Sequence, residues 1–186
     1  LDRANIVSGY AEMLKHGLLS DTRYWNELLQ LDLEHPESEA FARAVKRSVE
    51  IKDGITTQDP KEQGLRKALN LGHTVGHAFE SLSHKRNTPV LHGYAIAWGL
   101  LCELYLSVVQ LDFPKSIVST FAAFVREQHG AFPISCSDYD FLYEAMTHDK
   151  KNQDDRINFT LLANIGDIRL DQTSDRAGIE EMLDFY

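Results

Sequence analysis

Thiols are scarce in this chain: of 186 residues only Cys102 and Cys136 are cysteine, with no CxxC pair and no even framework of spaced bridges. That excludes a disulfide-stapled scaffold and fits a reduced, cytoplasmic setting. Positive charge is short as well. Lys and Arg total 19 against 28 Asp and Glu, a net charge of -9 with a pI near 5.3, and no basic stripe runs through any segment. Phosphate neutralisation along a nucleic acid needs such a stripe, so that class is excluded and a small-molecule partner is expected. A membrane span is missing too. The most apolar stretch, 94–111, is interrupted by Glu103 and Gln110 and reads as a buried core helix instead of a crossing of ~30 Å of hydrocarbon. There is no internal repeat and no low-complexity tract. Leu1 is not a start methionine, and residues 1–5 lack the basic, apolar, small-residue plan of a secretory signal, so a piece of a longer protein is expected.

What is present is helical periodicity. A chain of this length suits one domain over 1–186 that buries roughly 70% of its unfolded surface. Ile6, Tyr10, Met13, Leu14 and Leu18 recur at steps of three and four and predict a first helix that stops at 17–20. Further helices are expected over 24–31, 38–54, 62–83, 92–111, 117–127, 141–147 and 175–185, with Ser20 or Asp21 and Ser137 as caps. Only 157–163 reads convincingly as a strand, able to pair with 168–170 across a turn at Gly166. The expected fold is therefore mainly α, a multi-helix domain of about eight helices with at most one small β-hairpin.

The chemistry concentrates in 66–92. Arg66, Asn70, His73, His77 and Glu80 are followed by His92, which gathers three of the eight histidines in under thirty residues. On a continuous helix advancing about 100° per residue, Asn70, His73 and His77 fall within roughly 60° of one another. Two imidazoles and a carboxylate make a borderline-soft site for Zn²⁺ or a related divalent ion, with a position left for substrate. Spacing alone proposes His73, His77 and His92 as ligands, with Glu80 one turn further along. The HExxH protease analogy fails, because Thr74 occupies the place of the catalytic glutamate. His16, His35, His84 and His129 are assigned to ordinary hydrogen-bonded or solvent-facing roles. Glycines 72, 76 and 93 serve helix packing or room for a ligand equally well. Glu12 and Lys15, three apart on an apolar helix, are either an intrahelical pair or an interior site.

Five stretches carry a resemblance: Ser8-Gly-Tyr-Ala-Glu12-Met-Leu-Lys15-His-Gly17; Asp59-Pro-Lys-Glu62-Gln-Gly-Leu-Arg66; Leu69-Asn-Leu-Gly-His73-Thr-Val-Gly-His77-Ala-Phe-Glu80; His92-Gly93; and Asp149-Lys-Lys151. In order and spacing they resemble the carboxy-terminal helical domain of the 3-dehydroquinate synthase family. The resemblance implies a metal, Zn²⁺ or Co²⁺, held by Glu12, His73 and His92. It implies substrate contacts or catalytic roles at Lys15, Lys52, Asp59, Glu62, Arg66, Asn70 and His77, with Lys150 or Lys151 on a phosphate. It further implies NAD bound by an amino-terminal domain that these residues do not include, a homodimeric parent enzyme, and no turnover by this piece alone. Two departures stand out: Tyr94 where the family commonly has glutamate, and Asp59-Pro60 where it has an acidic pair. The alternatives are a sister sugar-phosphate cyclase of the inosose or valiolone type, and a non-catalytic helical metal or interaction module.

Overall fold

The computed structural model describes residues 2–149 and 156–186. Helix α1 (Arg3–Leu19) begins where the Asp2 carboxylate accepts the Asn5 N–H, and its buried stripe includes Val7, Tyr10, Ala11, Leu14 and Leu18. Asp21 caps α2 (Thr22–Leu29), and Ser38 caps α3 (Glu39–Gln58). Helices α4 (His73–Lys85) and α5 (His92–Leu111) follow, then α6 (Lys115–His129) and α7 (Tyr139–Asp149). An antiparallel hairpin of β1 (Ile157–Asn164) and β2 (Asp167–Ser174) precedes α8 (Arg176–Phe185). The mainly α expectation with one small hairpin holds. The hairpin is longer than the sequence suggested, because the polar end of β2 still pairs with apolar β1 residues, as in Ile157 opposite Ser174. Before α7, Ser135 and not Ser137 makes the cap: it forms a capping box with Asp138.

Helix α5 is the central post, packed by α1, α4, α6, α8 and β1. By length and a mean hydropathy of 1.5 it could cross a membrane, but 67% of that apolar window is buried within the fold. Ala95, Ile96, Ala97, Leu100 and Leu104 are fully enclosed, as a helix surrounded on all sides requires.

The expected single helix over 62–83 is corrected. A 3-10 helix, Leu65–Asn70, ends at Leu71, and α4 starts afresh at His73. The break is Gly72, whose φ of +79° is left-handed; a Cβ there would also lie 2.6 Å from Leu100 Cγ. Arg66 and Asn70 therefore do not share a helical face with His73 and His77. They reach the site from a separate element.

Two of the histidines assigned ordinary roles are interior. Burial, helped at His16 by the Lys15 charge, brings His16 to about 4; burial does the same at His129 against the opposing pull of the Val7 carbonyl. Both folded pKa values lie below the ordinary imidazole value of 6.5, so between these limits the unfolded chain binds more protons. Stability is then complete above pH 6.5 and is lost as pH falls toward 4. Urea unfolding at pH 7 and pH 5 is expected to differ by on the order of 2 kcal/mol per imidazole. A flat profile contradicts this, and His129→Gln should shrink the difference.

Candidate metal centre and its cleft

Three helices deliver three ligand-type side chains to one point. Glu12 comes from the middle of α1, while His73 and His92 are the first residues of α4 and α5. Glu12 Oε1 lies 3.6 Å from His73 Nε2 and 4.0 Å from His92 Nε2. The far nitrogen of each ring is engaged: His73 Nδ1 sits 3.1 Å from the Leu71 carbonyl, and His92 Nδ1 sits 3.2 Å from Glu80 Oε2. A carbonyl and a carboxylate can only accept, so the neutral form of each ring places its proton on Nδ1 and a lone pair at Nε2.

Three acceptors thus face one another with no donor between them. Glu12 Oε1 is buried and has no hydrogen-bond partner. Such an arrangement is repulsive until a cation occupies it, and these separations approach the roughly 3.4 Å between ligands on a tetrahedral ion with bonds near 2.1 Å. The Nδ1–H bonds are the outer partners that metal-bound histidines ordinarily have. The donor set, one carboxylate and two imidazoles, fits Zn²⁺ or Co²⁺.

Electrostatics support ligation. Burial pushes the Glu12 pKa up, but the Lys15 ammonium, 2.6 Å from Oε2, outweighs it and the net shift is downward. Burial, with Lys15 adding to it, lowers His73 to about 4. At neutral pH the carboxylate is charged and the imidazole neutral, the forms a metal binds. Lys15 is itself only 3% exposed and its pKa is lowered, mainly by burial, against the pull of Glu12. The pair is an interior site, the second of the two readings the sequence left open.

The cleft beside this centre has a volume of about 410 Å³ and is lined by Glu12, Lys15, Lys52, Glu62, Arg66, Asn70, His73 and His92, together with Leu69. His77 completes the imidazole cluster: its ligand-capable nitrogen and those of His73 and His92 lie within 4.8 Å of one another. The imidazole trio from spacing is thus also assembled, whereas Glu80 stands behind His92, at its Nδ1. Glu62 accepts from Asn70 Nδ2 at 2.9 Å, and the Arg66 guanidinium donates to the Pro60 carbonyl at 3.0 Å.

Asp59 is not among the cleft-lining residues. Its oxygens accept the amides of Gln63, Gly64 and Arg66 at 3.0, 2.7 and 3.1 Å, and the first two of these bonds lead in holding its carboxyl below the usual range. It organises the turn that carries Glu62 and Arg66. Lys150 and Lys151 lie outside the described residues. Tyr94 packs its ring against Trp98 and His129.

Sequence reasoning missed Glu80 as the partner of His92, Ser8 as acceptor of the Gly93 N–H at 3.1 Å, and Glu103. The signal for Glu103 was available: it is the one formal charge in 94–111, noted only as an interruption.

The chain is similar to known proteins along its whole length. A 3-dehydroquinate synthase of Parabacteroides distasonis is 50% identical over 100% of this chain and 53% of its own length. One from Staphylococcus aureus is 31% identical over 97% of this chain and 51% of its own. The chain thus spans about half the length of the curated relatives it matches. Among solved structures, a 2-epi-5-epi-valiolone synthase from Streptomyces hygroscopicus with NAD⁺ and Zn²⁺ bound superposes with a TM-score of 0.80 at 19% identity, covering 100% of this chain and 52% of that one. A 2-deoxy-scyllo-inosose synthase complexed with carbaglucose-6-phosphate, NAD⁺ and Co²⁺ gives 0.74 at 18%, covering 97% and 51%. At these identities the two structures establish the shared fold. The family described as 3-dehydroquinate synthase C-terminal matches residues 9–152, and with a 50% identical relative spanning every residue, this chain belongs to that family.

Proposed function

We propose that this chain is the metal- and substrate-binding half of a cytoplasmic enzyme of the shikimate pathway that converts 3-deoxy-D-arabino-heptulosonate 7-phosphate to 3-dehydroquinate and phosphate. The observation that carries the reading is the cleft itself, in which Lys15, Lys52 and Arg66 surround the convergence of Glu12, His73 and His92. An anionic sugar phosphate needs such cations, and the acceptor triad needs a divalent ion. When bound, that ion supplies Lewis acidity and NAD supplies reversible hydride acceptance.

Each of this chain's residues then has a task. Glu12, His73 and His92 hold the ion. Arg66 and Asn70 receive the substrate carboxylate, since a guanidinium makes forked, charge-assisted hydrogen bonds. Lys52 and one of Lys150 and Lys151 meet the phosphate. Lys15 keeps Glu12 ionised, and His77, beside the ion and outside its ligand set, is placed for hydrogen bonding or proton transfer to substrate. Glu62 orients Asn70. NAD is held by a domain outside these residues, in an enzyme that works as a homodimer.

A sister cyclase is the second reading, because the solved relatives are named for other products, an inosose and a valiolone. Carboxylate recognition separates the two. The full-length enzyme is expected to release phosphate from the heptulosonate and not from sedoheptulose 7-phosphate or glucose 6-phosphate. Arg66→Ala should lower kcat/KM for the heptulosonate by roughly 10- to 100-fold, the worth of a charge-assisted contact. Equal turnover of a carboxylate-free sugar, or an indifferent Arg66→Ala, favours the sister cyclase. The 186 residues alone should not turn over with added NAD. Phosphate release by them would disprove the need for a second domain.

A further inference from the structure

Glu103 is fully buried, at 0% exposure, in the centre of α5. Removing a carboxylate from water costs several kcal/mol unless good hydrogen bonds replace the lost hydration. Here two of them come from one place. Glu103 Oε2 accepts the Gly72 N–H at 2.6 Å, and Oε1 accepts the Val75 N–H at 3.2 Å. Both donors belong to the first turn of α4, where amides lack helical acceptors and the helix dipole favours negative charge.

The two amides flank His73. Its ring then takes its own orientation from the Leu71 carbonyl, on the other side of Gly72. An ordinary cap is a short Ser or Asp just before the helix, at the surface. This one is a glutamate from another helix, reaching through the core to the turn that begins with a metal-ligand candidate. An amide side chain would not replace it, because one end of a glutamine would point N–H groups at a backbone N–H.

We infer that Glu103 is a positioning residue for the metal centre: by gripping the Gly72 and Val75 amides it fixes the turn that aims His73 Nε2 at Glu12 and His92. The inference rests on the metal reading above, and its test separates the two. Co²⁺ is titrated into the purified protein, following the visible absorption of the bound ion, with the dissociation constant taken by chelator competition. Glu103→Gln is expected to weaken Co²⁺ binding roughly 10- to 100-fold, as loss of outer-shell support does, and to alter the absorption spectrum. Phe121→Leu, a cavity in α6 against Trp25, provides a destabilised control that should bind Co²⁺ like the parent. If Glu103→Gln does not accumulate folded, Glu103→Asp gives the same reading, since a carboxylate one methylene shorter keeps the charge but cannot span both amides; a loss of about tenfold is then expected. Parent-like affinity and spectrum in the variant overturn the positioning role and leave the metal reading intact. Failure of the parent to bind Co²⁺ overturns the metal reading itself.

Discussion

Glu12→Gln is expected to remove the divalent metal from this protein, while His77→Ala retains it. The amide keeps the shape of the side chain and can still accept from Lys15, but it removes the charge and offers the ion a poor ligand in place of Oε1. A loss beyond the roughly 10- to 100-fold of an outer-shell change is expected, since a primary ligand is removed. His73→Ala and His92→Ala should behave alike, each deleting one of the two Nε2 lone pairs that face Glu12 at 3.6 and 4.0 Å. His77→Ala should bind within a few-fold of the parent and lose turnover instead. Elemental analysis and Co²⁺ titration of the four variants decide between the carboxylate-containing set and the three-imidazole set. Retention in Glu12→Gln with loss in His77→Ala would select the latter.

Glu12→Ala is a different experiment from Glu12→Gln. It strands the Lys15 ammonium, whose side chain is 4% exposed, without its 2.6 Å partner. The cost should fall below the roughly 3–5 kcal/mol of a fully buried broken pair, because the carboxylate side is 31% exposed. A metal effect measured only in the alanine variant would therefore mix ligation with stability.

Gly93→Ala should be the most damaging single-methyl change in the chain. A Cβ at Gly93 would lie 1.8 Å from the Ser8 carbonyl oxygen, 2.4 Å from its carbon and 2.7 Å from Ser8 Cα, all backbone atoms that cannot rotate away. Helices α1 and α5 would have to separate, and the 3.1 Å bond from the Gly93 N–H to Ser8 Oγ would be lost. Overpacking costs about 1–3 kcal/mol and more where backbone meets backbone, so a fall in Tm of roughly 6–12 °C is expected. Separation also draws Glu12 away from His92, so metal affinity should fall with stability. Gly9→Ala is the matched control: it lies in α1 with nothing within 4 Å of its added methyl, and should gain about 0.5–1 kcal/mol. A Tm for Gly93→Ala within a degree or two of the parent would refute the close approach.

The elements legible from sequence were those whose signal is local. Period-three-and-four apolar residues gave α1 and α3, Asp21 gave the cap of α2, and the uniformly apolar run gave the enclosed α5. The helix across 62–83 failed because Gly72 takes a left-handed conformation inside a pattern that remains periodic on both sides of it. The local bonding of Asp59 was hidden for a related reason: an acidic residue in a polar turn looks the same in sequence whether or not it folds three amides around itself. Buried Glu103 carried a sequence signal only as an anomaly, since the atoms it serves lie 28 and 31 residues away.

By itself the sequence determined the residue types and their local settings: a helical chain, an excess of acidic charge, three clustered histidines with one of them opening a helix, and a glutamate and lysine on an apolar helix. Tertiary structure decided that Oε1 of Glu12 meets Nε2 of both His73 and His92, because that meeting depends on how closely three helices approach. The approach is set by Gly93 against Ser8 and by Glu103 on the first turn of α4, contacts between residues 85 and about 30 positions apart. Periodicity reports which face of a helix is apolar. It carries no information about the distance to the next helix, and a metal site is made of such distances.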